Sequence, residues 1–347
     1  MKLLYLYSEI MGYNVPTINI LAENYCSEIN VISWKKKISN YQIEKSEKVN
    51  YFYKEDFNKI ELVNFVNKFS PNLVVVSGWM DKEYLEICKD LKNKGVTIVG
   101  AMDTQWKNTI RQKIATIIAP FYHKKYFDHL WVSGIYQFEY AKRLGFSNEN
   151  IIFNCYSANT NLLENNKMEV NDDFKTLLFI GRFDKVKGID ILLNVFTDYI
   201  NETKSKLKLK LIGGGIELDI VKKHESDAII VKEFIQPEHL LEELKDVQGF
   251  ILPSISEPWG VVIHEMAAAG LPLLVSNVCG ANSVFAINNY NSFVFMANDK
   301  MDLRNAIEKF DLTSNSELIE MGKRSKVLSK KINPETSAAS LMSINLK

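Results

Sequence analysis

Pro253-Ser254-Ile255-Ser256-Glu257-Pro258-Trp259-Gly260-Val261-Val262-Ile263-His264-Glu265-Met266-Ala267-Ala268-Ala269-Gly270-Leu271-Pro272 is the stretch whose reading decides the fold. An apolar run, Gly249-Phe250-Ile251-Leu252, precedes it, and Leu273-Leu274-Val275-Ser276 follows. Each has the length and character of a buried parallel strand. One loop and one helix fit between them. The helix is expected from Trp259 or Gly260 to Gly270. Pro258 is placed in its first turn, where a missing N–H costs nothing, and Pro272 blocks its continuation. Such strand–helix–strand units build open α/β sheets, which take ligands at the carboxyl ends of their strands. Glu257 then lies in the loop at the helix entrance and Glu265 further along the same helix. The helix N-terminus offers an anion roughly half a unit of positive charge and unpaired N–H groups. Carboxylates beside an anion site need donors of their own, and sugar or ribose hydroxyls supply them.

The alternation continues on both sides. Lys175 to Gly181 reads as a strand running into the basic loop Arg182-Phe183-Asp184-Lys185-Val186-Lys187-Gly188. Leu207 to Ile212 is the next strand, and Gly213-Gly214-Gly215 turns it tightly into a helix. Ile229 to Glu233 follows, with Phe234-Ile235-Gln236-Pro237 in its exit loop. Upstream, apolar runs near 3–7, 28–34, 49–53, 73–78, 96–101, 130–133 and 151–154 alternate with helical periodicity. The polar, aperiodic stretch 159–173 reads as a linker between residues 1–158 and 174–330. The basic run Lys35-Lys36-Lys37 reads as a solvated loop.

Three places in the first half carry chemistry. Gly12 lies in the loop after the first strand, where such a sheet receives ligands, or is a plain turn residue. Asp103, in the exit loop after Val96–Ala101, suits acceptor binding or general-base work, or else caps its own loop. Residues 107–125 are basic and amphipathic. Ile110, Ile114, Ile117 and Ile118 mark one face, Lys107, Arg111, Lys113, Lys124 and Lys125 lie elsewhere, and Pro120-Phe121-Tyr122 interrupts the pattern. Such a segment either lies on an anionic membrane surface or packs on its own domain.

The chain has 347 residues, more than one core usually holds, and 46% hydrophobic and 24% charged residues, as ordinary globular proteins do. Net charge is zero, so nothing calls for nucleic acid. Residues 1–160 carry 20 Lys+Arg against 16 Asp+Glu, so the first half is mildly basic. Cys26, Cys88, Cys155 and Cys279 form no C-x-x-C pair, which fits free thiols in a reducing cytoplasm rather than a metal or disulfide framework. The opening Met1–Tyr7 is too short for a signal peptide, and no apolar run approaches the ~18–20 residues of a membrane span.

Two glutamates separated by seven residues, with Pro-aromatic-Gly after the first and Met-Ala-x-x-Gly-x-Pro after the second, closely resemble the retaining GT-B glycosyltransferases of family 4 (glycosyl transferases group 1). Gly181-Arg182 to Lys187-Gly188 resembles the same family's Gly-Arg-x-x-x-x-Lys-Gly signature. The resemblance is strong over about 175–295 and elsewhere rests on architecture. It implies an α/β GT-B fold, two Rossmann-like βαβ domains facing a cleft, with acceptor on the first and nucleotide-sugar donor on the second. It also implies that 331–347 crosses back to the first domain.

By that resemblance Arg182 and Lys187 bind the donor diphosphate, Glu265 the ribose hydroxyls, and Glu257 the donor-sugar hydroxyls. Gly12, Gly213, Gly215, Ile235, Gly260 and Val261 line the nucleotide. A forked guanidinium and an ammonium there would favour the transition state, where leaving-group charge grows. Family members often carry His-Asp where this chain has Met102-Asp103, which puts the usual His contact in doubt. No metal and no cofactor beyond a UDP- or GDP-sugar substrate is implied, since no Asp-x-Asp motif occurs. The expected function is retaining transfer of a hexosyl or N-acetylhexosaminyl group to a glycan or lipid-linked acceptor, in bacterial surface polysaccharide or glycolipid assembly. The expected place is the cytoplasm, at the inner membrane face if residues 107–125 dock there. A GT-B nucleotide-sugar 2-epimerase and a catalytically silent nucleotide-sugar binder are the rivals.

Overall fold

The computed structural model describes residues 1–35 and 46–345, so Lys36 and Lys37 of the basic run lie outside the described residues. The chain divides into two compact units, one formed by residues 1–157 with 334–347 and the other by 158–333.

The first unit runs β1 (Lys2–Tyr7), α1 (Asn14–Asn24), β2 (Glu28–Ser33), β3 (Val49–Tyr53), α2 (Lys59–Phe69), β4 (Leu73–Val76), α3 (Lys82–Asn93), β5 (Thr97–Met102), α4 (Ile110–Tyr122), β6 (His129–Val132), α5 (Ile135–Arg143) and β7 (Ile151–Ile152). Its strands form one parallel sheet in the order β3-β2-β1-β4-β5-β6-β7. Both faces are buried, which is why the strands read as continuous apolar runs rather than as alternation. Leu4, Leu6, Val74, Val76 and Ile98 pack on one face beneath α2, α3 and α5, while Leu3, Tyr5, Tyr7, Val75 and Val99 pack on the other. Helix starts follow their caps. Asn58 and Glu61 form a reciprocal capping box on α2, and the Asp81 carboxylate caps α3.

Two details differ from the sequence reading. Pro120 does not interrupt α4, which continues through it to Tyr122. Gly145 leaves room for the proline ring, since a Cβ there would sit 3.0 Å from Pro120 Cγ. In addition, the stretch read as a linker is part of the second unit. Asn166 is buried and donates to the Ala269 carbonyl at 2.8 Å, and Lys326 Nζ donates to the Glu164 carbonyl at 2.8 Å.

The second unit runs β8 (Thr176–Arg182), α6 (Ile189–Thr203), β9 (Lys208–Gly214), α7 (Leu218–Lys222), β10 (Ile229–Lys232), α8 (Leu240–Glu243), β11 (Gly249–Leu252), α9 (Val261–Ala268), β12 (Leu273–Ser276), α10 (Asn282–Phe285), β13 (Ser292–Phe295), α11 (Lys300–Leu312) and α12 (Asn315–Ser329). Its parallel sheet has the order β10-β9-β8-β11-β12-β13. The order reverses between β8 and β11, which is the topological switch point where such sheets open a ligand crevice. The closing helix α13 (Pro334–Met342) belongs to the first unit, burying Ala338 and Leu341 in the core that also holds α1. Burying one leucine contributes roughly 1.5–3 kcal/mol, enough to hold a short helix in place.

Candidate active site

The loops after β8 and β11 meet at the switch point of the second unit. Gly181 pairs with Gly213 and Arg182 with Gly214 at the last rungs of β8 and β9. A Cβ on Gly213 would overlap the Gly181 carbonyl oxygen, and one on Gly215 would lie 2.6 Å from the Phe183 carbonyl oxygen. The β9 turn is therefore glycine because the neighbouring strand end presses against it. Gly188 has a left-handed backbone, φ +70°, and a Cβ there would overlap the Pro253 carbonyl oxygen. The Ile255 N–H donates to the Val186 carbonyl at 2.8 Å, joining the two loops.

This contact brings together side chains seventy residues apart. Lys187 Nζ forms a close ion pair with Glu257 Oε2, and both side chains are largely buried, 16% and 9% exposed. Ser254 Oγ lies 3.4 Å from the same oxygen. Asp184 accepts from the Lys187 backbone N–H at 3.0 Å and pairs with Arg182 at 3.4 Å, so it orders both cations of the signature. The Arg182 side chain stays 57% exposed.

The helix begins later than the sequence suggests. Its N-cap is Gly260, in a left-handed conformation at φ +91°, and Pro258 lies two residues ahead of it rather than in the first turn. A Cβ on Gly260 would press to 3.0 Å from Glu257 Cγ, which gives the Pro-Trp-Gly spacing its steric reason. No side chain caps α9, so the N–H groups around Val261 are not taken by a capping group. Further along, Glu265 is half-buried and its carboxylate has no hydrogen bond or ion pair among the described residues. Burial pushes its carboxyl from an ordinary 4.5 up to about 7. Ile235 is half-buried in the loop after β10, at the same edge of the sheet.

His264, which the sequence reading passed over, is fully buried between these glutamates' helix and its neighbours. It accepts from the Ala158 N–H at Nδ1, 3.1 Å, so Nε2 carries the proton and donates to the Ser329 carbonyl at 2.9 Å. Its ring stacks on Phe285 at 4.1 Å, and burial lowers its pKa to about 4. The imidazole thus stays neutral and fixes α9. Asp184, Ser254 and His264 are the residues missed here. Only Asp184 had a usable signal, its place as a cap three residues before Lys187.

Gly12 and Asp103 belong to the first unit. Gly12 sits in the turn just before α1, with no positive φ. Asp103 follows β5 beside the buried Tyr7 and Cys155 and the half-buried Tyr156. Burial raises the pKa of all three, and the nearby Asp103 charge adds to it, most directly for Cys155 and Tyr156. Tyr13 packs edge-on against Tyr156 at 5.3 Å. Met102 points into the apolar core with Val76 and Tyr126 and is 2% exposed, so the side chain in the family's usual His position does not reach the sheet edge. Among the described residues, no group of three or more His, Cys, Asp or Glu side chains could hold a metal ion.

Residues 163–328, just under half of the chain, match the family described as glycosyl transferases group 1. An uncharacterised 41.2 kDa protein in the cps region of Klebsiella pneumoniae is 28% identical over 193 residues, 53% of this chain and 51% of its own length. The chain spans about half, or less, of the length of the first curated relatives it matches. Among solved structures, the sucrose-phosphate synthase of Thermosynechococcus elongatus superposes with TM-score 0.76 at 16% identity, covering 99% of this chain and 98% of that one. Anabaena HepE in complex with UDP and glucose superposes with TM-score 0.73 at 13% identity, covering 99% and 98%. The architecture is GT-B, two Rossmann-like units each built on a parallel sheet.

Proposed function

We propose that this chain is a retaining family 4 glycosyltransferase, moving a hexosyl or N-acetylhexosaminyl group from a UDP- or GDP-sugar to a glycan or lipid-linked hydroxyl in the cytoplasm. The carrying observation is the Lys187–Glu257 pair at the switch point, beside Arg182 and the uncapped start of α9. Cations and helix N–H groups suit a diphosphate, and the paired carboxylate suits sugar hydroxyls. The HepE complex with UDP and glucose supports a uridine donor.

In this reading the bond from the anomeric carbon to the β-phosphate oxygen breaks and a bond to the acceptor oxygen forms on the same face. The acceptor proton passes to the departing phosphate oxygen. Arg182 and Lys187 stabilise the charge that grows on the leaving diphosphate, which lowers the barrier because the gain is larger in the transition state than in the ground state. Glu257 holds the donor sugar and Glu265 the ribose. Gly213, Gly215, Ile235, Gly260 and Val261 border the nucleotide. Asp103, at the end of β5 in the first unit, serves the acceptor. Surface polysaccharide or glycolipid assembly is the setting that fits such an enzyme.

The test is release of nucleoside diphosphate from UDP-, GDP-, ADP- and dTDP-sugars with crude lipid-linked acceptor. Release from one donor with label transferred to acceptor is expected. Turnover without acceptor to an epimerised sugar would replace this reading with the epimerase, and nucleotide binding without any turnover would replace it with the silent binder.

Glu265 gives a separate prediction. Only its ionised form accepts two ribose hydroxyls, so donor affinity should rise with pH through about 7. Glu265→Gln should raise donor KM about tenfold, the size of one charge-assisted hydrogen bond, with little change in kcat, and flatten that pH profile. Stability follows the opposite sign. The folded chain holds this proton between pH 4.5 and 7, so the group's contribution is full below 4.5 and gone above 7. A Glu265→Gln enzyme with unchanged KM and an unchanged pH profile would remove the ribose role.

A further inference from the structure

We propose that α4 is a docking surface for an anionic lipid bilayer. Its large side chains point the wrong way for a core helix. Ile110, Ile117 and Phe121 are 76%, 74% and 86% exposed, and Ile114 is 55% exposed. At about 3.6 residues per turn these four share a stripe about 60° wide. The buried side, opposite, is the small Ala119. Ile118 and Tyr122 widen the stripe on one flank. An exposed apolar stripe of this size calls for a partner.

The helix is anchored in that orientation at both ends. The Thr109 hydroxyl caps its start, and Gln112 ties it to the preceding loop through Lys107 N–H and the Gln105 carbonyl, at 2.7 and 2.6 Å. At its far end His123 is buried against Trp79, ring centroids 4.5 Å apart. The stripe is therefore presented by the fold.

Charge identifies the occupant. Between residues 104 and 127 the chain has Lys107, Arg111, Lys113, Lys124 and Lys125 and no Asp or Glu. All five are exposed, and Arg111 and Lys113 fall on opposite flanks of the stripe. An apolar stripe edged by cations matches the acyl boundary and anionic headgroups of a bilayer, with the helix lying in the interface plane. A second copy of the same face would set five cations against five, which disfavours a symmetric dimer there. No helix of the described residues is long and apolar enough to cross a membrane, so this is attachment to a surface. The inference goes beyond sugar transfer and is read by partition alone, so it stands or fails independently of the catalytic reading.

The experiment is co-sedimentation of the full chain with vesicles of phosphatidylcholine, with and without phosphatidylglycerol. Binding to the anionic vesicles is expected, weakening as salt is raised toward ~1 M, where the Debye length falls to ~3 Å. The doubly substituted Ile117→Glu, Phe121→Glu chain should lose at least about tenfold in partition, since it carries charge into the apolar boundary. Val327→Glu, at an exposed position of the second unit, should bind as the parent does. Circular dichroism should show all three equally folded. Absence of binding to anionic vesicles, equal partition of the double variant, or concentration-dependent self-association abolished by the same substitutions would overturn the proposal.

Discussion

Lys187→Ala is expected to lower kcat/KM by about two to three orders of magnitude, the loss typical of removing one donor aimed at developing charge. On the proposed reaction the fall should appear mainly in kcat, because charge on the departing diphosphate would grow toward the transition state. Lys187 also holds the Glu257 carboxylate, which is only 9% exposed, so the alanine variant leaves that charge desolvated and poorly paired. Some loss of stability should therefore accompany the loss of activity, and the two must be separated. Lys187→Ala with Glu257→Gln removes the orphaned charge as well. If the pair is one working unit, the double variant should be more stable than Lys187→Ala yet no more active, a strongly non-additive cycle. A folded Lys187→Ala chain that turns over donor at the parental rate would end the assignment.

Gly213→Ala is expected to destabilise the second unit by roughly 3–5 kcal/mol, combining overpacking with a backbone conformation alanine resists. The new Cβ would strike the Gly181 carbonyl oxygen, backbone that cannot swing aside without breaking the last rungs of the β8–β9 ladder. Gly214→Ala, one residue on, is the control. Nothing lies within 4 Å of its Cβ and its φ is not positive, so the change should stay within about 1 kcal/mol. Urea unfolding of the three chains measures both. Equal midpoints for Gly213→Ala and the parent would show that the strand end yields more easily than the register implies.

Much of this protein was legible without coordinates. Gly249–Leu252 and Leu273–Ser276 are strands at the residues where four-residue apolar runs stand, because a sheet covered on both faces leaves no polar alternation to confuse the reading. Gly270, in a left-handed conformation at φ +78°, ends α9 where the sequence has Gly before Leu-Pro. Loops at strand ends inherit their position from that pattern, so Arg182, Lys187 and Glu257 were each placed at a strand end, and Glu265 on the helix that follows, by local signals alone.

What needed tertiary structure is direction and pairing. The contact of Lys187 with Glu257 depends on β8 and β11 lying side by side, an order that no local pattern encodes. Met102 and Asp103 are adjacent in the chain, yet Met102, the last residue of β5, faces the core while Asp103 lies in the loop beyond the strand end. Periodicity marked the apolar stripe of α4 but could not say which way it turns, because amphipathicity fixes a face and only packing decides what that face meets. Local sequence determined the elements, their ends and the residues at those ends. The burial that neutralises His264, raises Glu265 and turns α4 outward came from the assembled sheet and its covering helices, because desolvation depends on neighbours distant in the chain.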